Sequence, residues 1–147
     1  MRDVLDDMIE IYQPKGIDWM GYKLTEENPY TFHHIKEKRY GGKEEVKNGA
    51  ILTKDAHAYL NYLDQYCPEA YQEYQKIFRY INDFDGPIPE HLYSMIYQNL
   101  QELSDLINEG NIFEFREEPR DFKQEKKEQR KIKMKTKVNK PKKKSKM

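Results

Sequence analysis

Three of the four histidines in this 147-residue chain fall in one short window. His33 and His34 are adjacent. Gly41 and Gly42 follow seven and eight residues after His34, Asn48 lies fourteen after it, and His57 lies nine after Asn48. A neutral imidazole can ligate a divalent metal, and a second imidazole can take a proton from water near neutral pH. Few structural roles need that grouping, and reactive groups are nowhere else so concentrated. His91 follows Pro89 at a helix start and reads as having no functional role. The chain lacks a phosphate-cradling Gly-rich loop, so Gly41-Gly42 is read as a turn. No Ser or Cys nucleophile has a convincing partner.

The stretch from His33 to Asn61 resembles the HNH endonuclease motif of the ββα-metal nucleases. That pattern has a His-His-Ile run, a loop with Gly-Gly, an Asn, and a helix bearing the last His. Here these are His33-His34-Ile35, Gly41-Gly42, Asn48 and His57. The resemblance covers about 30 residues, and the flanks resemble no family. Two departures stand out. Many members have Pro three residues after the second His, where this chain has Glu37. Many also carry Cys pairs around a structural zinc, where this chain has Thr53 and Ala56. Its single cysteine, Cys67, cannot build such a site. The ββα unit must therefore be held by packing against flanking helices.

The resemblance implies one-metal hydrolysis of DNA phosphodiester bonds. His33 and His57 would hold one divalent ion (Mg, Mn, Ni or Zn), with Asn61 as a third ligand. Asn61 lies four residues beyond His57 and so on the same helix face, but it reads nearly as well as a surface residue. His34 would be the general base. Adjacent strand residues point to opposite faces, so His33 and His34 can share a site only if the strand ends or twists there. Asn48 would tie the loop together and orient His34. Lys36, Lys38, Arg39 and Lys43 in that loop could grip a DNA backbone. Singly, each reads as a solvated charge.

The elements that must position these residues follow from periodicity. Val4, Leu5, Met8, Ile9 and Tyr12 predict a short amphipathic helix, stopped by Pro14 and Gly16. Ile17–Leu24 and Tyr30–Ile35 read as extended segments about a turn at Glu27-Asn28-Pro29. Residues 36–49 form a charged loop, and Ala50-Ile51-Leu52 a strand. Thr53 is the N-cap of a helix to about Tyr66. Pro68 begins another to about Asp83, with Tyr71, Tyr74, Ile77, Phe78 and Ile81 on one stripe. A last one follows Pro87 and Pro89 to about Asn108, carrying Leu92, Met95, Ile96, Leu100, Leu103 and Ile107, with Gly110 as its cap. Trp19 and most of the twelve tyrosines read as core rather than as base-stacking platforms.

Net charge is zero over the whole chain but uneven along it. Residues 123–147 hold 13 Lys and Arg against two acids, a net +11; residues 1–122 hold 13 against 24, a net −11. The basic tail has few apolar residues and reads as disordered, at least beyond about Lys133. Basic arms bind nucleic-acid phosphates without sequence preference. The alternative is an arm folded loosely against the acidic body. Mean hydropathy of −1.10 is low, partly because of this tail. No apolar run approaches the ~18 residues that span a bilayer, and the start of the chain is unlike a secretory leader. One cysteine fits a reducing compartment, so a cytoplasmic location is expected.

The expectation is thus an α+β, mostly helical protein. Residues 1–122 form the nuclease-like domain, with the ββα core at about 28–66, and 123–147 form the basic tail. DNA is the expected partner and a bacterium or phage the expected source. The alternative is a non-catalytic nucleic-acid-binding or protein-interaction module that keeps the ββα shape, or one whose acidic helical body binds a protein partner.

Overall fold

A computed structural model describes residues 2–139, the side chains of 135–139 excepted. It divides after Glu117 into two compact units, earlier than the expected boundary after residue 122. The fold is mostly helical α+β. In the first unit the order is α1 (Val4–Tyr12), β1 (Tyr30–His34), β2 (Gly49–Thr53), α2 (Lys54–Tyr66), α3 (Pro68–Asn82) and α4 (Glu90–Glu109). No helix among the described residues is long and apolar enough to cross a membrane.

Each helix starts and stops for a local reason. Asp3 caps α1, accepting from Asp6 N at 2.9 Å, and the Asp6 carboxylate in turn accepts from Asp3 N. Gln13, in the left-handed region at φ 47°, ends it before Pro14. Thr53 caps α2 as its sequence suggests, and Pro68 opens α3 at a position that needs no N–H. Gly110 closes α4 at φ 72°.

β1 and β2 form an antiparallel ribbon with His33 opposite Ala50 and His34 opposite Gly49. One face carries Thr31, His33, Ala50 and Leu52; the other carries Tyr30, Phe32, His34, Gly49, Ile51 and Thr53. All of β2 is buried. Helices α2 and α3 cover the first face, where the His33 ring meets His57, Tyr71 and Phe78. Helix α1 covers the second. At Gly49 it comes so near that a Cβ would sit 2.4 Å from Met8 Sδ and 2.5 Å from Phe32 Cε2.

Ile17–Leu24 departs from its expected extended form. Only an isolated bridge, Ile17 with Lys23, is strand-like. The segment wraps instead around the buried Asp18 carboxylate. Its Oδ1 accepts from Met20 N (2.8 Å) and Tyr22 N (2.9 Å), while Oδ2 accepts from Thr53 N and Thr53 Oγ1 (both 2.7 Å). A carboxylate has the lone pairs for four such bonds, and no other side chain of this size does.

The second unit holds α5 (Phe122–Asn139). The expectation of disorder beyond about Lys133 falls partly on residues 140–147, which lie outside the described region. The segment is rich in Lys, Glu, Gln and Arg, and its 18 residues contain neither Gly nor Pro. Asp121 caps it, accepting from Gln124 N at 3.0 Å.

Replacing Asp18 by Ala strands four donors, Thr53 N and Oγ1 at the β2–α2 junction and two backbone N–H groups of the 18–22 turn. The expected loss is at least about 3 kcal/mol in urea unfolding. Asp18→Asn should recover only part, because its amide cannot accept at both ends. Wild-type stability in Asp18→Ala would refute this role.

Candidate functional site

The expected ββα succession is present: β1, a loop over residues 35–48, β2 and α2. Asn48 locks the loop. Its Oδ1 accepts from Lys36 N at 2.7 Å, and its Nδ2 donates to Lys36 O and Lys43 O, each at 3.0 Å. Its own backbone carbonyl accepts from Ile35 N at 2.8 Å. The loop's two ends are thereby held against each other beside His34.

The two glycines serve this closure for different reasons. Gly41 turns the chain at φ 89°, a left-handed conformation costly for residues with a Cβ. Gly42 makes room: a Cβ there would lie 1.7 Å from Lys36 O, the carbonyl that Asn48 holds.

His33 is buried, 5% exposed, and its Nε2 lies 2.7 Å from Gln75 Oε1 of α3. The Gln75 amide nitrogen also donates to the Ile35 carbonyl. His57, half-buried on α2, places Nδ1 3.0 Å from Thr31 Oγ1. The two rings stand edge to face with centroids 5.3 Å apart. Burial pushes His33 from 6.5 down to about 4, against an opposing pull from the Gln75 bond; charge on His57 or His34 lowers it further. Burial also lowers His57, with a smaller contribution from His34. Both rings are therefore neutral at pH 7, the form that binds metal.

The other proposed residues are placed less uniformly. His34 is the last residue of β1, and its ring lies edge-on to Phe32 at 4.9 Å, on the ribbon face away from His33. The strand ends there, but the side chain keeps the alternation of a regular strand. Its charge is nonetheless near enough to disfavour protonation of both other rings. Asn61 is exposed on α2. Lys36, Lys38 and Lys43 are exposed along the loop. Arg39 is not a simple surface charge: its Nη2 pairs with the buried Asp64 at 2.9 Å and lies 3.7 Å from Glu37. Glu37 accepts from Tyr71 OH at 3.0 Å. These contacts pin the loop to α2 and α3.

Two polar contributors escaped the sequence reading, Thr31 and Gln75. Gln75 left a signal. It lies four residues beyond Tyr71 and three before Phe78, a polar residue on a buried stripe. Thr31 left none, since a strand Thr is ordinary.

A divalent ion fits the donor chemistry in part. Two neutral imidazoles lie side by side, each held through one ring nitrogen. Among the described residues no group of three or more His, Cys, Asp or Glu is arranged around an ion. No family model, curated protein or solved structure matches the chain.

Neutral burial of His33 has a measurable consequence. Its folded value lies below its unfolded one, so the unfolded chain takes up the proton first. The stabilisation is complete above about pH 6.5 and is lost as pH falls toward 4. Between about pH 7 and pH 5 the loss should be of order 2 kcal/mol in urea unfolding. In His33→Gln the difference should shrink. An equal pH slope in that variant would place the effect elsewhere.

Proposed function

We propose that this protein is a metal-dependent endonuclease of HNH type that hydrolyses DNA phosphodiester bonds. One observation carries the reading. Two neutral histidines from the strand and helix of a ββα unit stand ring to ring, beside a loop locked by Asn48 at the motif's spacing. His33 and His57 would hold the ion, with Asn61 or substrate and water completing its shell. When bound, the ion supplies charge stabilisation at the phosphate and the leaving oxygen. His34 takes a proton from the attacking water, since it is the one imidazole of the three with no ring-nitrogen bond to Gln75 or Thr31. Asn48 fixes the chain immediately after it. Lys36, Lys38 and Lys43 meet the DNA backbone, and the basic α5 adds affinity without sequence preference.

One observation favours a second reading. His34 packs on Phe32, on the opposite ribbon face from the other two rings. A ββα module that binds nucleic acid or a protein without cleaving would have no need to bring all three together.

Supercoiled plasmid should be nicked in the presence of Mg, Mn, Ni or Zn and left intact with EDTA. His57→Ala should lose both metal and cleavage. His33→Ala should weaken metal binding, whereas His34→Ala should keep it and lose roughly 10²–10⁴-fold in rate. Folded wild type that cleaves with none of the four ions would leave the binding-module reading. Cleavage by His34→Ala at the wild-type rate would remove that residue from the mechanism.

Deleting residues 123–147 should weaken duplex binding and flatten its salt dependence by about 0.9 per lost phosphate contact. An unchanged slope would show that the arm is not a DNA-binding element.

A further inference from the structure

Proton accounting assigns each ring nitrogen of the histidine pair. The Ile35 carbonyl can only accept, so the Gln75 group facing it must be the amide nitrogen. Gln75 Oε1 then faces His33 Nε2 across 2.7 Å and must receive a proton from it. His33 is therefore the Nε2–H tautomer, and its lone pair is on Nδ1. The same logic holds on the other side. Thr31 Oγ1 lies 2.9 Å from the Leu52 carbonyl, a contact that uses the single hydroxyl proton. Oγ1 must then accept from His57 Nδ1 across 3.0 Å. His57 is the Nδ1–H tautomer, with its lone pair on Nε2.

We infer that Gln75 and Thr31 are positioning residues that hold the two histidines in opposite tautomers, presenting Nδ1 of His33 and Nε2 of His57 to one divalent ion. This rests on the metal reading above. Neither residue touches the ion. Each acts through an imidazole, as the partners of metal-bound histidines do when they fix ring orientation and basicity. Gln75 reaches in from α3, outside the ββα unit. Because it holds both the Ile35 carbonyl and the His33 ring, it also ties the ligand to the start of the Asn48 loop.

The test uses the full chain without metal and then with Zn²⁺ alone. Long-range ¹H–¹⁵N spectra of the histidine rings report tautomers directly, and calorimetry reports zinc affinity. Wild type should show His33 as Nε2–H and His57 as Nδ1–H. Thr31→Val keeps the β-branched shape but lacks the hydroxyl. It should shift His57 away from Nδ1–H and weaken zinc binding by about 10–100-fold. Thr31→Ser should restore both. Gln75→Met should do the same to His33 as Thr31→Val does to His57; if it fails to fold, the Thr31 pair still decides. Wild type that binds zinc with mixed or reversed tautomers overturns this inference and leaves the metal reading standing. So does Thr31→Val with unchanged tautomer and affinity. Wild type with the assigned tautomers but no zinc binding overturns the positioning role, while the four-ion cleavage assay decides the metal reading.

Discussion

The register of the β1–β2 ribbon decides which histidine meets which helix. Strand side chains alternate, so a one-residue slip would turn His34 toward α2 and send His33 under α1. A two-stranded ribbon is marginal in water and cannot set its own register. Here it is set from outside. Asp18 holds Thr53 at one end of β2, through both its N–H and its hydroxyl. At the other end Asn82 of α3 donates to the Val46 and Gly49 carbonyls, each at 2.8 Å, and its own carbonyl accepts from Tyr12 OH of α1 at 2.7 Å. Between them, Trp19 N donates to the Ile51 carbonyl on the strand's free edge. Both ends and the middle of β2 are thus fixed before any histidine interaction is counted.

These polar clamps are nearly all buried, and each resolves a problem created by burial itself. The two ends of the 35–48 loop, Ile35 and Asn48, are buried, and unpaired backbone groups there would cost about 1–3 kcal/mol each. Asn48, Gln75 and Asn82 supply partners to Lys36, Lys43, Ile35 and Val46. No zinc-binding cysteines staple this unit. Amides from α3 and from the loop itself take that place, which is why the ββα unit depends on a helix well beyond its own end.

Much of this was legible in the sequence, and what was not shares a cause. The strands, the Thr53 cap, Pro68 at the start of α3 and Gly110 after α4 are local signals and stand where periodicity puts them. Asn48 was legible through its spacing alone. Asp18, Gln75 and Asn82 act across 35, 40 and 33 residues, and long-range pairing leaves no periodic trace. Ile17–Leu24 misled because its apolar residues pattern as a strand, while the buried carboxylate within it demanded a turn. Arg39 misled because a loop arginine is usually solvated, and its partner Asp64 lies on another element.

On the proposed reading, the burial that suits the histidine pair to an ion also makes it a liability in acid. Removing His33 from water favours its neutral form and so spares an arriving cation the work of displacing a proton. The same desolvation favours unfolding once the ring must charge. Gln75 works against this shift, because a hydrogen-bonded imidazole holds its proton more firmly. It cannot cancel the shift, since one neutral acceptor does not replace a shell of water around an imidazolium. On the proposed reading, ligand readiness and acid lability are two outcomes of one packing decision, the placement of His33 on the ribbon face that α2 and α3 close.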